Sequence, residues 1–344
     1  MAFFTPMNPE LQKILARQHY ALIGTHSGVK LCHWMKQSLL FERHCYKQEF
    51  YGISSHRCLQ MTPAVSHCTQ MCLFCWRLQS FTEQQLQNPD EPEVILEKAI
   101  QAQRKLITGF KGDPRCDQKK WAEANEPNML ACSLSGEPTL YPRLGEFFAA
   151  CHRRGITTFL VTNGTTPEVL AKLDPLPRQL YVSVVAPSKE VYKKLCAPLL
   201  SDGWEKLQET LALLPSLDTK TVIRHTLVHD WNADDKYVAQ YAKLDSIASP
   251  TFIEPKGYVF VGASRSRLHF SNMPTHEQVR AFGQGLAEAL GYELVMEKED
   301  SLVVLLAHEH KEIKKRKKGN EPGGASISRV VSCVRPSHRS VTRS

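Results

Sequence analysis

The hydrophobic positions of this chain alternate between short apolar runs and longer amphipathic segments. The short runs place apolar and β-branched residues side by side, whereas the segments between them repeat apolar residues at helical spacing. The predicted strands are an apolar run that leads into a cysteine-bearing loop at residues 61–77, then Met129–Leu134, Thr157–Val161, Gln179–Val184, Lys220–Val228 and Thr251–Lys256. The predicted helices are Met7–Leu22, Glu93–Ile107, Arg143–Arg153, a short helix from Pro167, Gly203–Leu214, Asp234–Leu244 and Thr275–Leu290.

This order predicts an α/β fold with a parallel sheet, because strands that alternate with helices are joined by crossovers. Six such units suit a partial or closed β/α barrel better than a doubly wound sheet. The stretches Glu293–Glu297 and Ser301–Ala307 predict a closing hairpin, and Ile327–Val334 predicts a docked edge strand. The polar segment Lys111–Glu126 is predicted to be a surface loop.

We expect three regions along the chain. Residues 1–58 would form an N-terminal helix and a cysteine-bearing extension, residues 59–310 the barrel, and residues 311–344 a partly flexible tail. The tail holds ten Lys or Arg residues and two Glu, and therefore accounts for the net charge of +8. Such a run suits contacts with phosphate groups, and a solvated tail explains the charge equally well.

Composition is that of a soluble globular protein. Of the 344 residues, 42% are hydrophobic and 23% are charged, and no apolar run is long enough to span a bilayer. The N-terminus lacks the pattern of a signal peptide, so we expect a cytoplasmic protein, and we expect a monomer. Eleven cysteines are many for a reducing compartment, where metal ligands explain them better than disulfides.

Three of these cysteines, Cys68, Cys72 and Cys75, have the spacing C-x3-C-x2-C in the loop after the first predicted strand. Three thiolates on one short loop can hold three corners of a four-iron cluster and leave the fourth iron open. Structural zinc usually takes four protein ligands, often as two C-x2-C pairs. A zinc knuckle or an incidental group of cysteines is the alternative.

A second set of cysteines, Cys32, Cys45 and Cys58, is spaced evenly, with twelve residues between neighbours. Brought together by the fold, these thiols could hold a second cluster that also has one open iron. No close pair occurs among them, so three buried core cysteines are the alternative.

Small and polar residues follow several predicted strands, where the active site of a β/α barrel lies. Six residues share this position: Ser135, Gly136 and Glu137 after the second strand, Thr162 and Asn163 after the third, and Ser183 near the end of the fourth. They are candidates for ligand contacts. A plain turn is the alternative for Asn163, because Asn-Gly is a turn signal.

Together these features resemble the radical S-adenosylmethionine (SAM) superfamily. The loop from Cys68 to Cys75, with Phe74 before its last cysteine, is similar to the loop that holds the SAM-binding cluster, and the residues 135–138 look like a variant of the Gly-Gly-Glu motif. The second cysteine set and the stretches Phe252–Tyr258, Ser264–Leu268 and Asn272–Glu277 are similar to those of the archaeal wyosine-base synthases, the tRNA 4-demethylwyosine synthases. The resemblance covers about residues 10–310.

The resemblance implies a lyase that condenses N1-methylguanosine 37 of tRNA-Phe with pyruvate to form 4-demethylwyosine. It implies two [4Fe-4S] clusters, one at each cysteine set. The first would split SAM to a 5′-deoxyadenosyl radical, and the second would hold pyruvate. Eukaryotic relatives carry an added flavodoxin-like domain that this chain lacks, so we expect a separate electron donor of ferredoxin or flavodoxin type.

The resemblance also implies roles for individual residues. Ser135, Gly136 and Glu137 would bind the amino group of SAM, and Lys47 would hold pyruvate as a Schiff base. A surface lysine is the alternative for Lys47. Ser264–Arg267 would contact RNA or substrate. The candidates for stacking on the target base, each of which is otherwise a core residue, are Trp34, Tyr46, Tyr51 and Trp76.

Two other functions fit part of this pattern. One is a radical SAM enzyme with a different substrate, and the even spacing of Cys32, Cys45 and Cys58 argues against it. The other is a non-catalytic, zinc-dependent RNA-binding protein, which fits the basic tail but not the residues at the strand ends.

Overall fold

The computed structural model describes residues 7–308, and the predicted edge strand Ile327–Val334, the tail of residues 311–344 and Cys333 lie outside the described residues. The strands are β1 (Ala21–Ile23), β2 (Ser27–Val29), β3 (Cys58–Thr62), β4 (Met129–Cys132), β5 (Thr157–Thr162), β6 (Gln179–Ser183), β7 (Lys220–Leu227), β8 (Phe252–Gly257), β9 (Glu293–Lys298) and β10 (Val303–Ala307). The helices are α1 (Pro9–Arg17), α2 (His33–Leu40), α3 (Tyr46–Tyr51), α4 (Pro92–Ile107), α5 (Gln118–Ala124), α6 (Leu144–Arg153), α7 (Pro167–Leu170), α8 (Lys189–Cys196), α9 (Gly203–Leu213), α10 (Val238–Ala248) and α11 (His276–Leu290).

These strands form one sheet in the order β1-β2-β3-β4-β5-β6-β7-β8-β10-β9. Strands β3 to β8 are parallel, adjacent in chain order, and connected through helices. The α/β class and the six β/α units are therefore confirmed. Because β1 and β9 end the sheet in the described part of the chain, the barrel is partial.

The hairpin predicted near residue 300 is confirmed as β9 and β10. Strand β10 pairs antiparallel with β8, and Val303 lies opposite Lys256. The hairpin thus extends the sheet beyond the last parallel strand. No helix in residues 7–308 is long and apolar enough to cross a membrane.

Two predictions from periodicity are wrong. Helix α1 ends at Arg17 and not at Leu22, because His19 adopts a left-handed backbone (φ 62°) and the chain then enters β1. The segment Lys111–Glu126 contains α5 in place of a continuous loop. Asp117 caps that helix by accepting a hydrogen bond from the backbone of Lys120, and Trp121 donates one to the Ile107 carbonyl.

The cysteine-bearing extension joins the barrel sheet directly, since β2 pairs antiparallel with β3. Cys32 and Cys45 are the N-cap residues of α2 and α3, and both have an extended backbone. Cys58 begins β3. The three evenly spaced cysteines therefore stand at the starts of α2, α3 and β3. The boundary predicted at residue 58 stays a prediction.

The outer face of β7 is tied to α10 by a buried polar pair. His225 Nε2 lies 2.8 Å from Asp245 Oδ2, and its Nδ1 lies 2.7 Å from the carbonyl oxygen of Val184. Both side chains are fully buried. A buried polar group without a partner costs stability, so each of these groups depends on the other.

We expect Asp245→Ala to lower the free energy of unfolding by about 3 kcal/mol or more, because it leaves His225 buried without its partner. Urea denaturation of the cluster-free protein measures this change. The control is Asp218→Ala at a position outside this pair and away from the buried core, with an expected change within about 0.5 kcal/mol. Equal effects of the two substitutions would contradict the role of the pair.

Candidate active site

A cavity of about 550 Å³ opens at the C-terminal ends of the parallel strands. It brings together the residues predicted to bind the clusters or SAM, and the predicted catalytic lysine: Cys32, Cys45, Lys47, Cys58, Cys68, Cys72, Cys75, Ser135, Gly136, Glu137, Thr162, Asn163 and Ser183. These residues come from separate segments spread over about half of the chain. Their convergence on one cavity is the central geometric finding, and their individual roles stay predictions. Tyr51 and Ser264–Arg267, which were predicted to contact RNA or substrate, do not line it.

The first cysteine set lies on a loop that its neighbours hold in shape. Backbone N–H groups of Met71 and Leu73 donate to the carbonyl oxygens of Cys196 and Leu195 at the end of α8, at 3.1 and 2.9 Å. Arg267 donates to the carbonyl oxygens of Leu73 and Cys75. The loop is therefore anchored on both sides, so its three thiols keep their relative positions.

The turn after β4 interlocks with the cysteine loop. Gly136 has φ +69°, and a Cβ atom there would lie 1.8 Å from the carbonyl oxygen of Ala64. The backbone N–H of Glu137 donates to the His67 carbonyl at 2.7 Å, and Thr62 Oγ1 donates to the Ser135 carbonyl at 2.6 Å. Only glycine fits at 136, because the position needs both a left-handed backbone and a close approach.

Glu137 is buried, and its carboxylate is held by four donors. Oε1 accepts from the backbone and the hydroxyl of Thr139 and from the hydroxyl of Thr162, and Oε2 accepts from the backbone N–H of Asn163 at 2.7 Å. Burial raises the pKa of Glu137, while these hydrogen bonds oppose the shift. The carboxylate thus has one orientation, with its side chain lining the cavity.

The polar side-chain groups of Thr162 and Asn163 form hydrogen bonds with other groups of the protein. Thr162 Oγ1 donates to Glu137 and accepts from the Gly164 backbone. Asn163 Nδ2 donates to Thr69 Oγ1 at 2.8 Å and lies 3.9 Å from Cys68 Sγ. Both residues line the cavity as expected, but their side chains orient Glu137 and the cysteine loop.

The second cysteine set faces the same cavity from the extension. Burial raises the pKa of the Cys45 thiol to about 11 and also raises the pKa of Cys32 and Cys58. Backbone N–H groups oppose this effect at each sulfur, those of Trp34 and Met35 at Cys32 among them. Thiolates at these positions therefore have hydrogen-bond donors and need a positive partner, as an iron cluster would provide.

All ten cysteines in residues 7–308 are free thiols. Within that range no three Cys, His, Asp or Glu side chains are grouped tightly enough to hold a single metal ion. Members of each cysteine set are nevertheless close enough for their charges to interact. In a four-iron cube each thiolate binds a different iron atom, so the three thiols of a set need not converge on one ion. The four other described cysteines, which the sequence leaves without a role, are buried: Cys116, Cys132, Cys151 and Cys196.

Lys47 points into the cavity between the second cysteine set and the sheet. Its Nζ lies 4.0 Å from the centroid of the Tyr181 ring. Burial and the nearby Arg224 lower the pKa of Lys47 to about 8, and the same causes lower the pKa of Lys256 to about 8. Lys47 is therefore a partly buried residue of the cavity wall, and its catalytic role stays a prediction.

A buried carboxylate ties the extension to the barrel. Glu254 on β8 is fully buried and accepts hydrogen bonds from the hydroxyls of Tyr46 and Tyr51 on α3, at 3.0 and 2.5 Å. Arg224 on β7 donates to Glu254 through Nε and Nη2, and to Tyr46 Oη. Arg224 holds the pKa of Glu254 below its usual range in spite of burial.

Sequence reasoning missed the role of Arg224. The feature that could have revealed this role is a charged residue inside a strand whose other residues are mostly buried. The two tyrosines, expected as stacking candidates, instead bind Glu254 and are buried. Trp34 and Trp76 do line the cavity.

The segment Ser264–Arg267 makes mostly internal hydrogen bonds. Ser264 Oγ donates to the Val261 carbonyl, and Arg265 Nε donates to the Phe260 carbonyl. Arg267 holds the cysteine loop. Several of these donors are therefore used within the protein, while the Arg265 side chain is exposed, and the predicted contact with RNA or substrate stays a prediction.

Comparison with known proteins agrees with this arrangement. A family model for the radical SAM superfamily matches residues 63–242, and a model for wyosine base formation matches residues 247–308. The tRNA 4-demethylwyosine synthase of Pyrococcus abyssi is 50% identical over 306 residues, which cover 87% of this chain and 89% of that protein. The chain belongs to the tRNA 4-demethylwyosine synthase family of radical SAM proteins.

Other members of the family agree in sequence and structure. The mouse synthase TYW1 is 41% identical over 313 residues, which cover 88% of this chain and 42% of the mouse protein. A structure of TYW1 with a lysine-pyruvate adduct bound has a TM-score of 0.80 and 39% identity, over 88% of this chain and 96% of that one. A crystal structure of archaeal TYW1 has a TM-score of 0.73 and 35% identity over the same shares. Membership in this family disfavours both alternative functions.

The interlock at Gly136 predicts a specific loss of stability. Gly155 has the same φ of +69°, but a Cβ atom at that position would have no neighbour within 4 Å. The two glycines thus share this backbone angle and differ in the room available for a Cβ atom. We expect Gly155→Ala to cost about 1–2 kcal/mol of unfolding free energy through its backbone alone. Gly136→Ala should cost about 1–3 kcal/mol more, because the Ala64 carbonyl must move. Urea denaturation measures both, and equal costs would argue against the interlock.

Proposed function

We propose that this chain is a lyase that condenses N1-methylguanosine 37 of tRNA-Phe with pyruvate to form 4-demethylwyosine. The observation that carries the proposal is the single cavity onto which two cysteine sets, the turn at residues 135–137 and Lys47 converge. A reaction with two substrates and a radical initiator needs all its binding groups around one enclosed space. The names of the related synthases support the same product.

Cys68, Cys72 and Cys75 would hold the [4Fe-4S] cluster that binds SAM. Bound there, the cluster and SAM supply a 5′-deoxyadenosyl radical. Glu137 would accept a hydrogen bond from the amino group of SAM, because its carboxylate is held rigidly at the cavity wall. Thr162 and Asn163 would act by orienting Glu137 and the loop. Ser135, Gly136 and Ser183 would line the SAM site.

Cys32, Cys45 and Cys58 would hold a second [4Fe-4S] cluster beside Lys47. The amine of Lys47 would attack the carbonyl carbon of pyruvate and form a Schiff base with loss of water. Lys47 matches the lysine proposed for this family, and a family member has been seen with a lysine-pyruvate adduct. Lys256 adds positive charge to this side of the cavity, which suits the pyruvate carboxylate, whereas the charge of Arg224 is already paired with Glu254.

The anticodon loop of tRNA-Phe would enter at the cavity mouth, where Trp34 and Trp76 offer aromatic rings to an unpaired base. An external protein of ferredoxin or flavodoxin type would deliver the electrons. We further propose a cytoplasmic location and a monomeric state.

Turnover with reconstituted protein tests the proposal. Anaerobic protein should bind about eight irons per chain. With SAM, pyruvate, dithionite and tRNA-Phe bearing N1-methylguanosine, it should form the tricyclic base, detected by mass spectrometry of digested tRNA. Cys68→Ala and Cys32→Ala should each lose about half the iron and all product, because each removes a ligand of one cluster. Cys116→Ala is the matched control, since Cys116 is buried outside the cavity.

Other outcomes would redirect the assignment. Formation of 5′-deoxyadenosine with an unchanged base would support the assignment to the radical SAM superfamily and contradict the assigned tRNA substrate. Zinc without iron, together with no product, would favour a binding protein.

Reductive trapping tests the role of Lys47. Pyruvate with cyanoborohydride should leave a stable secondary amine at Lys47, located by peptide mass mapping, because hydride reduces a Schiff base. Lys47→Arg keeps the positive charge and should lose the adduct. Lys256→Arg is the control, because Lys256 lines the same cavity and has a similarly lowered pKa. An adduct at Lys256 in the unsubstituted protein would refute the assignment.

A further inference from the structure

A buried arginine beside the first cysteine set lacks a carboxylate partner. Arg77 is only 5% exposed. Its Nη1 donates to the Thr82 hydroxyl at 2.8 Å and to the Ser66 carbonyl at 3.3 Å, and its Nη2 donates to the Gln70 carbonyl at 3.5 Å. The buried Nε has no hydrogen-bond partner within residues 7–308. No Asp or Glu of the same range forms an ion pair with Arg77.

The guanidinium of Arg77 lies against the cysteine loop. The two carbonyl groups that it binds, those of Ser66 and Gln70, stand on either side of Cys68 in the chain. Arg77 itself follows Cys75 by two residues. The guanidinium is therefore held beside the segment that carries Cys68, and its place in the chain is near Cys75.

Burying a guanidinium without an anion is costly, and proteins rarely keep one unless a negative group faces it. Neutral carbonyl oxygens satisfy hydrogen bonds but do not balance the charge. Glu83, the acidic residue next to Thr82, is mostly exposed and lies by His67, so the buried negative groups that could balance Arg77 are the thiolates that would carry the cluster. Of the two arginines that hold the loop, Arg77 is buried, whereas Arg267 is partly exposed and its charge is screened by solvent.

We propose that Arg77 is the counter-charge of the iron–sulfur cluster bound by Cys68, Cys72 and Cys75, and that it raises the reduction potential of that cluster. The inference rests on the proposed function for the presence of the cluster. One electron from an external reductant adds one negative charge to the site, and no proton is needed for balance. A fixed positive charge nearby favours the reduced form, since net charge is one of the factors that set such potentials.

The test is a redox titration of the reconstituted chain of residues 1–344, followed by electron paramagnetic resonance. The signal to follow is the component that changes when SAM is added, because it reports the cluster of the first cysteine set. Arg77→Gln should make reduction about tenfold less favourable, a potential about 59 mV more negative for one electron. Arg77→Lys keeps a charge at the site and should shift the potential by less than half as much.

Arg267→Gln is the matched control for loop support. Arg267 also donates to carbonyl groups of the loop, at Leu73 and Cys75, but its charge is partly exposed. Its substitution should therefore change the potential less than Arg77→Gln does. Iron content is measured for every variant, so that a loss of cluster is seen directly.

Each outcome decides the role of Arg77. Equal shifts of the reduction potential in Arg77→Gln and Arg77→Lys, or no shift in either, would contradict the counter-charge role. Arg77 would then only support the cysteine loop. If Arg77→Gln fails to bind the cluster, retention of iron by Arg77→Lys supports the proposal, and loss in both overturns it. If no component of the unsubstituted protein responds to SAM, the proposed function fails instead.

Discussion

The buried carboxylate of Glu254 is the constraint on which the candidate active site depends. A carboxylate with no solvent contact is stable only when charged and polar donors surround it, and here they are Arg224 from the neighbouring strand and two tyrosines from α3. The same hydrogen bonds hold α3 against the sheet. Because α3 follows Cys45 and begins with Tyr46 and Lys47, its position decides where the second cysteine set and the lysine face.

The cavity that results has two chemically different ends. At one end, the fixed carboxylate of Glu137 offers an acceptor to an amino group. On the side of α3, β7 and β8, Lys47 and Lys256 offer amino groups to a carboxylate, whereas Arg224 is already paired with Glu254. Two substrates with these groups would be sorted by charge before any chemistry occurs, so orientation is built into the cavity walls.

Much of this structure could be predicted from local motifs and from the periodicity of apolar residues. The alternation of apolar runs predicted the six parallel strands. Ser135, Gly136, Glu137 and Thr162 follow predicted strands, and this position predicted the edge of the sheet at which they lie. The spacing of Cys68, Cys72 and Cys75 is local and needed no knowledge of the fold. The wrong predictions were also local: a left-handed residue at His19 ended α1 early, and a side-chain cap at Asp117 started an unexpected helix.

Contacts between distant residues could not be predicted in the same way. Tyr46 and Glu254 are 208 positions apart, and nothing in either neighbourhood indicates the partner. Aromatic character alone therefore suggested a stacking role for the tyrosines. The interlock of Gly136 with Ala64 likewise joins distant segments, and it has a consequence for protein engineering. The cysteine loop cannot be grafted alone onto another barrel, because the glycine turn, the end of α8 and Arg267 all hold its shape. A transplanted loop would need all three supports.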